Sequence, residues 1–252
     1  MSLVNGPVSI TEARGLGGLR LLVIPGVPSP WGEAAKAILH VKRIPHTRVN
    51  RMPSDPPGAL EEWTKQDSFP VAVFERERPR SGWAEILWLA ERLAPEPALV
   101  PRDAEQRARF FGLCHEICGE QGLGWTRRIQ FADAGLARGD AVWKWIGEKY
   151  GHRAEAAAAA PGRVRGILRA LDAQLQRHGK YLMGDALSAL DLYFATFMNL
   201  VSPLPPELLR MPKLFEAAAP EPDPELARIL AGGLLAHRDR IYREHLELPV
   251  KL

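Results

Sequence analysis

Cysteine is nearly absent from this chain, with two among 252 residues. Cys114 and Cys118 lie four apart in one apolar stretch of helical character, so they cannot staple distant parts of a fold, and a disulfide framework is excluded. Long apolar runs are also missing. No segment approaches the ~18 residues that a membrane-spanning helix requires, and no basic-then-apolar leader opens the chain. A soluble protein in a reducing cytosol, with no membrane partner, is therefore expected. Neither sign of charge is in excess, since 33 Lys and Arg against 30 Asp and Glu leave a net charge of +3. Arg76, Arg78, Arg80, Arg127 and Arg128 are interspersed with acids or isolated as a pair, not drawn into a stripe, which argues against a nucleic-acid partner. With 46% hydrophobic and 25% charged residues the composition is that of an ordinary globular protein, and the length suits two domains of ~100 to 150 residues each.

Residues 1 to 17 read as irregular. Leu19 to Ile24 is then a continuous apolar run suited to a buried strand, broken by Pro25 to Pro30. Ala34, Ala35, Ile38, Leu39 and Val41 recur at helical spacing until Arg43-Ile44-Pro45. Short strands are expected at Thr47 to Asn50 and at Val71 to Phe74, separated by a polar, proline-rich crossing with Pro53, Pro56 and Pro57. Trp83, Ile86, Leu87, Ala90 and Leu93 mark another helix, and Ala94-Pro95-Glu96-Pro97 reads as a linker. Beyond Pro101 no strand signal returns. Helices are expected at Ala104 to Cys118, at Val142 to Tyr150 after a Gly-rich interruption, and from Pro161 through Val164, Ile167, Leu168, Leu171 and Leu175 to His178-Gly179. The run Ala156 to Ala160 reads as helix-forming filler that Pro161 stops, and Pro224 to Glu247 as one last helix. The domain boundaries implied are 18 to 95 and 102 to 252.

The segment Tyr181-Leu182-Met183-Gly184-Asp185-Ala186-Leu187-Ser188-Ala189-Leu190-Asp191-Leu192-Tyr193 carries the most information. Ser188 and Asp191 stand at the spacing of a capping box, Leu187 and Leu192 at that of a hydrophobic staple, and Gly184-Asp185 supplies a turn ahead of an apolar helix. This arrangement resembles the buried helix of the glutathione transferase C-terminal domain. The plan of a mixed strand-and-helix half, a proline-rich linker and an all-helical half is similar to that of the cytosolic glutathione transferases over residues 19 to 215. The resemblance implies a thioredoxin-like N-terminal domain followed by an all-α C-terminal domain, and a cytoplasmic homodimer.

It also implies roles for particular residues. Ser29-Pro30-Trp31-Gly32 resembles the thioredoxin-like loop that opens the first helix, with serine in the nucleophile position and glycine in the resolving one, so a dithiol mechanism is excluded. Ser29 would then be catalytic, holding the glutathione thiolate, although a serine N-cap followed by a proline at the first helical position also makes sense with no ligand at all. Glutathione contacts are implied for Trp31, Phe69, Pro70, Ser81 and Trp83, with the Phe69-Pro70 bond cis and the Phe69 backbone pairing with the cysteinyl part of the ligand. The alternatives are a strand-initiating proline and a core tryptophan. The family usually carries an acid directly before a serine at the next helix start, to hold the γ-glutamyl group. Here the chain reads Ser81-Gly82-Trp83, with Glu85 deeper in the helix.

In the helical half, Leu113-Cys114-His115-Glu116-Ile117-Cys118 superficially resembles a metal motif, but His115 points about 100° away from the face the cysteines share, so no metal is expected and buried free thiols are the simpler reading. His115, Trp125 and Arg128 are candidates for a second-substrate pocket shared between the domains. A surface Arg127-Arg128 pair and a packing tryptophan are the plainer readings of the same residues. His237, Arg238, Tyr242, Arg243 and His245 form either a lid or a solvated charged face. The function implied is glutathione transfer, with glutathione as co-substrate attacking a small, apolar electrophile in a detoxification role. A non-catalytic ligand-binding or protein-interaction module on the same fold is the alternative, and a disulfide reductase is disfavoured by Gly32 and by the lack of cysteine in the first half.

Overall fold

A computed structural model of the chain describes residues 6–252. It comprises two compact units, one extending through Leu99 and one from Val100 to Lys251. Of the residues read as irregular at the start, 1 to 5 lie outside the described residues. The others are ordered. Helix α1 (Ile10–Ala13) is opened by Ser9, whose hydroxyl accepts the Glu12 amide at 3.2 Å while the Glu12 carboxylate accepts the Ser9 amide at 2.9 Å. Asp55 holds the same helix by accepting the amides of Ile10 and Thr11 at 3.1 and 2.9 Å.

The first unit is built on strands β1 (Leu19–Leu22), β2 (Thr47–Val49) and β3 (Val71–Phe74) in the order β2-β1-β3. Strand β1 runs parallel to β2 and antiparallel to β3, with Leu22 opposite both Val49 and Val71. All four β1 residues are buried, as expected of a central strand covered on both faces. Helix α2 (Pro30–Val41) begins with Pro30 preset at its first position and buries Ala34, Ala35, Ile38 and Leu39. The polar, proline-rich crossing contains helix α3 (Ala59–Thr64). Helix α4 (Trp83–Leu93) packs against α2. Between them Lys42, whose side chain is wholly buried, pairs with Glu91 at 2.6 Å and donates to the Pro97 carbonyl at 2.8 Å, so the proline-rich segment is tied down by a buried ion pair.

The second unit is all helical: α5 (Ala104–Cys118), α6 (Leu123–Ala137), α7 (Val142–Tyr150), α8 (Ala154–His178), α9 (Ala189–Phe197), α10 (Lys213–Ala217), α11 (Pro224–Leu230) and α12 (Leu234–His245). Three expectations are corrected. The Gly-rich interruption is itself helix α6, in which glycines let neighbouring helices approach closely. Pro161 does not stop the alanine run, because it lies inside the 25-residue α8. A proline there removes one backbone bond at about 3 kcal/mol, but α8 buries Ala160, Val164, Ile167, Leu168, Leu171 and Leu175 along its length, and that packing outweighs the local preference. The last helix is two helices, broken at Gly232-Gly233, where Gly233 takes a φ of 119° that other residues rarely adopt.

Helix α9 is buried at every position. Its capping box is formed, and the Asp191 carboxylate does more than cap. It accepts the amides of Leu182 at 2.9 Å and Ser188 at 3.0 Å, the Ser188 hydroxyl at 2.8 Å, and His237 Nε2 of α12 at 3.0 Å. Arg240 contacts His237 Nδ1 at 2.9 Å, and a guanidinium only donates, so Nδ1 accepts and Nε2 carries the proton directed at Asp191. Asn199 donates to the Tyr242 hydroxyl at 2.7 Å. The charged face expected for the last helix is thus partly an inner face. His237, Arg238 and Tyr242 are buried, and Arg243 alone of the five named residues is fully exposed. Among the described residues no helix is long and apolar enough to cross a membrane.

Candidate functional site

The register of the first unit brings one set of sequence-selected residues to a single edge of the sheet. The chain leaves β1 at Leu22 and reaches Ser29 through a turn, while Pro70 directly precedes Val71, the residue that faces Leu22 across the ladder. The Phe69-Pro70 bond is cis. An isolated antiparallel bridge pairs Ala72 with Arg80, through bonds of 2.8 and 2.9 Å, and so carries Ser81 back beside the start of β3. The loop after β1, the cis proline and the start of α4 therefore share one edge.

Ser29 is buried at the N-cap of α2, where its carbonyl accepts the Glu33 amide at 2.8 Å. Its side chain makes no capping bond to the helix. The hydroxyl is therefore not consumed by the cap, and the amides of the first turn lend it a positive helix end. Trp31 is half-buried in that first turn, and Phe69 is partly buried against the core formed by Ile10, Leu22, Val49 and Val71. Trp83, half-buried, is the first residue of α4.

Gly82 occupies the N-cap of α4, and Ser81 donates to Gln66 Oε1 at 3.0 Å. Glu85 folds back from the third helical position, accepting the Gly82 amide at 3.3 Å and pairing with Arg78 at 2.9 Å. Burial pushes its carboxyl up, but Arg78 and the amides of Gly82 and Ser81 together hold it below the ordinary carboxylate value. The Glu85 carboxylate and Ser81 thus share this helix start, joined through the Ser81 amide, while the Ser81 hydroxyl is turned to Gln66.

Sequence reasoning passed over other groups near this edge. Glu33, in the first turn of α2, is raised by burial, opposed by its 2.7 Å pair with Lys36 and by Arg48. Asn50 follows β2, and its buried Oδ1 has no hydrogen-bond partner among the described residues. The acid at a helix N-terminus was a readable signal for Glu33. Asn50 had none, because its importance comes from tertiary placement.

In the helical unit the three pocket candidates separate. Trp125 stacks edge-on against Tyr150 at 4.9 Å, and Arg128 also engages Tyr150 by a side-chain bond. His115 does not join them, being exposed on α5 with its ring against Gly119. The expected surface arginine pair is buried instead, because each guanidinium finds an aromatic face. Arg127 lies 5.1 Å from the Phe131 ring centre and Arg128 4.7 Å from that of Phe215. Burial lowers both, Arg127 to about 10. Cys114 and Cys118 are buried free thiols raised well above the ordinary value, first by burial.

A thioredoxin-like unit whose loop carries a serine in place of a cysteine, with a cis proline opposite it, together with an all-helical unit, defines the glutathione transferase fold. Residues 137–221 match the family model for the glutathione S-transferase C-terminal domain. Solved structures agree across nearly the whole length. A glutathione S-transferase from Methylobacterium radiotolerans, in complex with glutathione sulfonate, is 20% identical over 90% of this chain and 91% of its own, with a TM-score of 0.60. One from Xanthobacter autotrophicus is 15% identical over 92% and 97%, at 0.59. A family member from Pseudomonas fluorescens with two glutathione bound is 16% identical over 95% and 98%, at 0.57. No curated protein matches the chain. The similarity to the glutathione S-transferase C-terminal domain thus lies in residues 137–221, and the solved structures show that the chain shares their fold.

Proposed function

We propose that this protein is a cytoplasmic, homodimeric glutathione transferase-type enzyme that uses the glutathione thiolate against a small, apolar electrophile in detoxification. The observation that carries the reading is the gathering of Ser29, the cis Phe69-Pro70 bond and the Ser81 and Glu85 pair at one sheet edge. Similar proteins hold glutathione or its sulfonate, which supports the choice of ligand.

In this reading the Phe69 backbone aligns the cysteinyl part of glutathione as an added strand. Glu85 faces the γ-glutamyl ammonium, and Gln66 and Ser81 meet the adjoining carboxylate. Ser29 donates a hydrogen bond from its hydroxyl to the ligand thiolate and keeps its proton. A free thiol titrates near 8.5, and lowering it by two units takes about 2.7 kcal/mol. A helix N-terminus offers ~0.3 to 1 kcal/mol and a hydrogen bond to a charged atom ~1.5 to 3, so the hydroxyl supplies the larger share. The thiol proton leaves to solvent, the sulfur lone pair forms the new bond to carbon, and the leaving group departs with the electron pair of the bond it breaks. Trp31 and Trp83 add apolar walls.

A carrier without catalysis is the second reading, favoured by one observation: the Ser81 hydroxyl is already engaged by Gln66. Calorimetric titration with reduced glutathione, followed by turnover with an activated aryl chloride, separates the two. An enzyme binds glutathione and turns over, and Ser29→Ala loses about tenfold or more of that turnover. Full turnover in Ser29→Ala would refute the role given to Ser29, and binding of apolar dyes without any thiol dependence would favour the carrier.

A further inference from the structure

The helical unit holds a cavity of about 410 Å³ lined by residues of α6, α8 and the segment leading into α11. Ala134, Ala157, Pro161, Val164, Pro220 and Leu226 give it apolar walls. Arg127 and Gln130 bring donors to it. Arg127 is 6% exposed and has no carboxylate partner among the described residues. Its Nε donates to the Leu200 carbonyl at 2.8 Å and its Nη1 to Gln130 Oε1 at 2.5 Å, which leaves Nη2 without an acceptor. Because the Gln130 carbonyl is turned to Arg127, its amide nitrogen remains as a second donor. The Phe131 ring covers one face of this guanidinium at 5.1 Å, but no carboxylate neutralises its charge, so an anion on its open side would be favourable.

The acids of the lining do not fill that role. Asp133 pairs with His152 at 2.9 Å, Asp223 pairs with Arg165 at 2.6 Å and caps α11, and Glu221 is exposed. Arg138 is exposed and directs its nitrogens to the carbonyls of Ala217 and Ala219. The three rim carboxylates repel a multiply charged anion, while a single negative charge beside Arg127 is matched. We propose that this cavity binds an apolar monocarboxylate, such as a medium-chain alkanoate, with its carboxylate on Arg127 Nη2 and the Gln130 amide and its hydrocarbon against the proline and alanine walls.

The test uses the whole chain and decanoate, with neutral decanamide as its counterpart, by titration calorimetry. Saturable binding of one decanoate per chain is expected, with decanamide weaker by about 10- to 100-fold, the range that a hydrogen bond to a charged group provides. Arg127→Gln should lower decanoate affinity by a similar factor. Because Arg127 also holds the Leu200 carbonyl, Ala134→Phe serves as a second variant, which fills the half-buried side of the cavity without touching that bond and should abolish binding. Absence of saturable decanoate binding, equal affinity for decanamide, or binding indifferent to Ala134→Phe would each overturn the proposal.

Discussion

Replacing Asp191 tests whether one carboxylate organises the helical unit. Its side chain is wholly buried and accepts from four donors: the amides of Leu182 and Ser188, the Ser188 hydroxyl and His237 Nε2. In Asp191→Ala these groups are left in a site closed to water, and each unsatisfied buried donor costs about 1 to 3 kcal/mol. The losses overlap, since the freed groups partly relax, so about 3 to 5 kcal/mol is expected in total, the range for breaking a buried charged network. For a unit of this size each kcal/mol lowers the melting temperature by about 2 to 4 °C, giving a fall of roughly 6 to 20 °C. Asp191→Asn keeps one accepting oxygen but sets an amide NH2 against donors, so about 2 to 3 kcal/mol is expected, and Ser188→Ala, which removes one hydroxyl bond, about 1 kcal/mol. Urea unfolding followed by far-ultraviolet circular dichroism measures the series. A loss in Asp191→Ala of less than about 0.5 kcal/mol, the range of an ordinary surface change, would refute the reasoning.

Two further outcomes follow from packing and from titration. Gly135→Ala would place a methyl 2.0 Å from Trp143 Cδ1 between α6 and α7, so a loss of about 1 to 3 kcal/mol and an altered tryptophan near-ultraviolet signal are expected; unchanged spectrum and stability would contradict that close approach. The Cys114 and Cys118 thiols are raised in the folded chain by burial, with Asp191 adding to the effect on Cys114 and Cys114 to that on Cys118. Above about pH 8.5 the unfolded chain releases thiol protons that the folded chain keeps, so the stabilisation is complete below that value and declines as pH rises toward the folded pKa. Between about pH 7 and pH 9.5 the chain should lose more stability than a Cys114→Ala, Cys118→Ala variant, and equal losses would remove the thiols from the account.

How much of this was legible in the sequence depended on whether the signal was local. The strands at Leu19, Thr47 and Val71 and the helices at Trp83, Ala104 and Val142 announce themselves by apolar spacing and by flanking breakers, and each lies where that spacing puts it. Helix α1 was also written locally, in Ser9 and Glu12, but four residues give no periodicity to notice. Helix α6 was hidden by Gly122, Gly124 and Gly135, which read as loop, whereas Gly122 and Gly135 permit close approach. Pro161 misled because a 25-residue helix packed along its length tolerates what a short one does not. At the site, Ser29, Phe69, Pro70 and Ser81 were legible as a family pattern. The fold-back of Glu85, the diversion of Ser81 to Gln66 and the burial of Arg127 and Arg128 were not, because they depend on which side chains the folded backbone brings face to face.

The reach from Asp191 to His237 also sets an order of events on the ribosome. The two residues are 46 positions apart, so at ~5 to 20 residues per second α9 is synthesised roughly 2 to 9 seconds before its last partner exists. During that interval the carboxylate can gather Leu182 and Ser188 but not α12, and the nascent helical unit waits with one side of its most buried helix uncovered. A stop codon anywhere between the two positions would hold the chain permanently at that stage, with the apolar side of α9 open to chaperones and quality-control proteases.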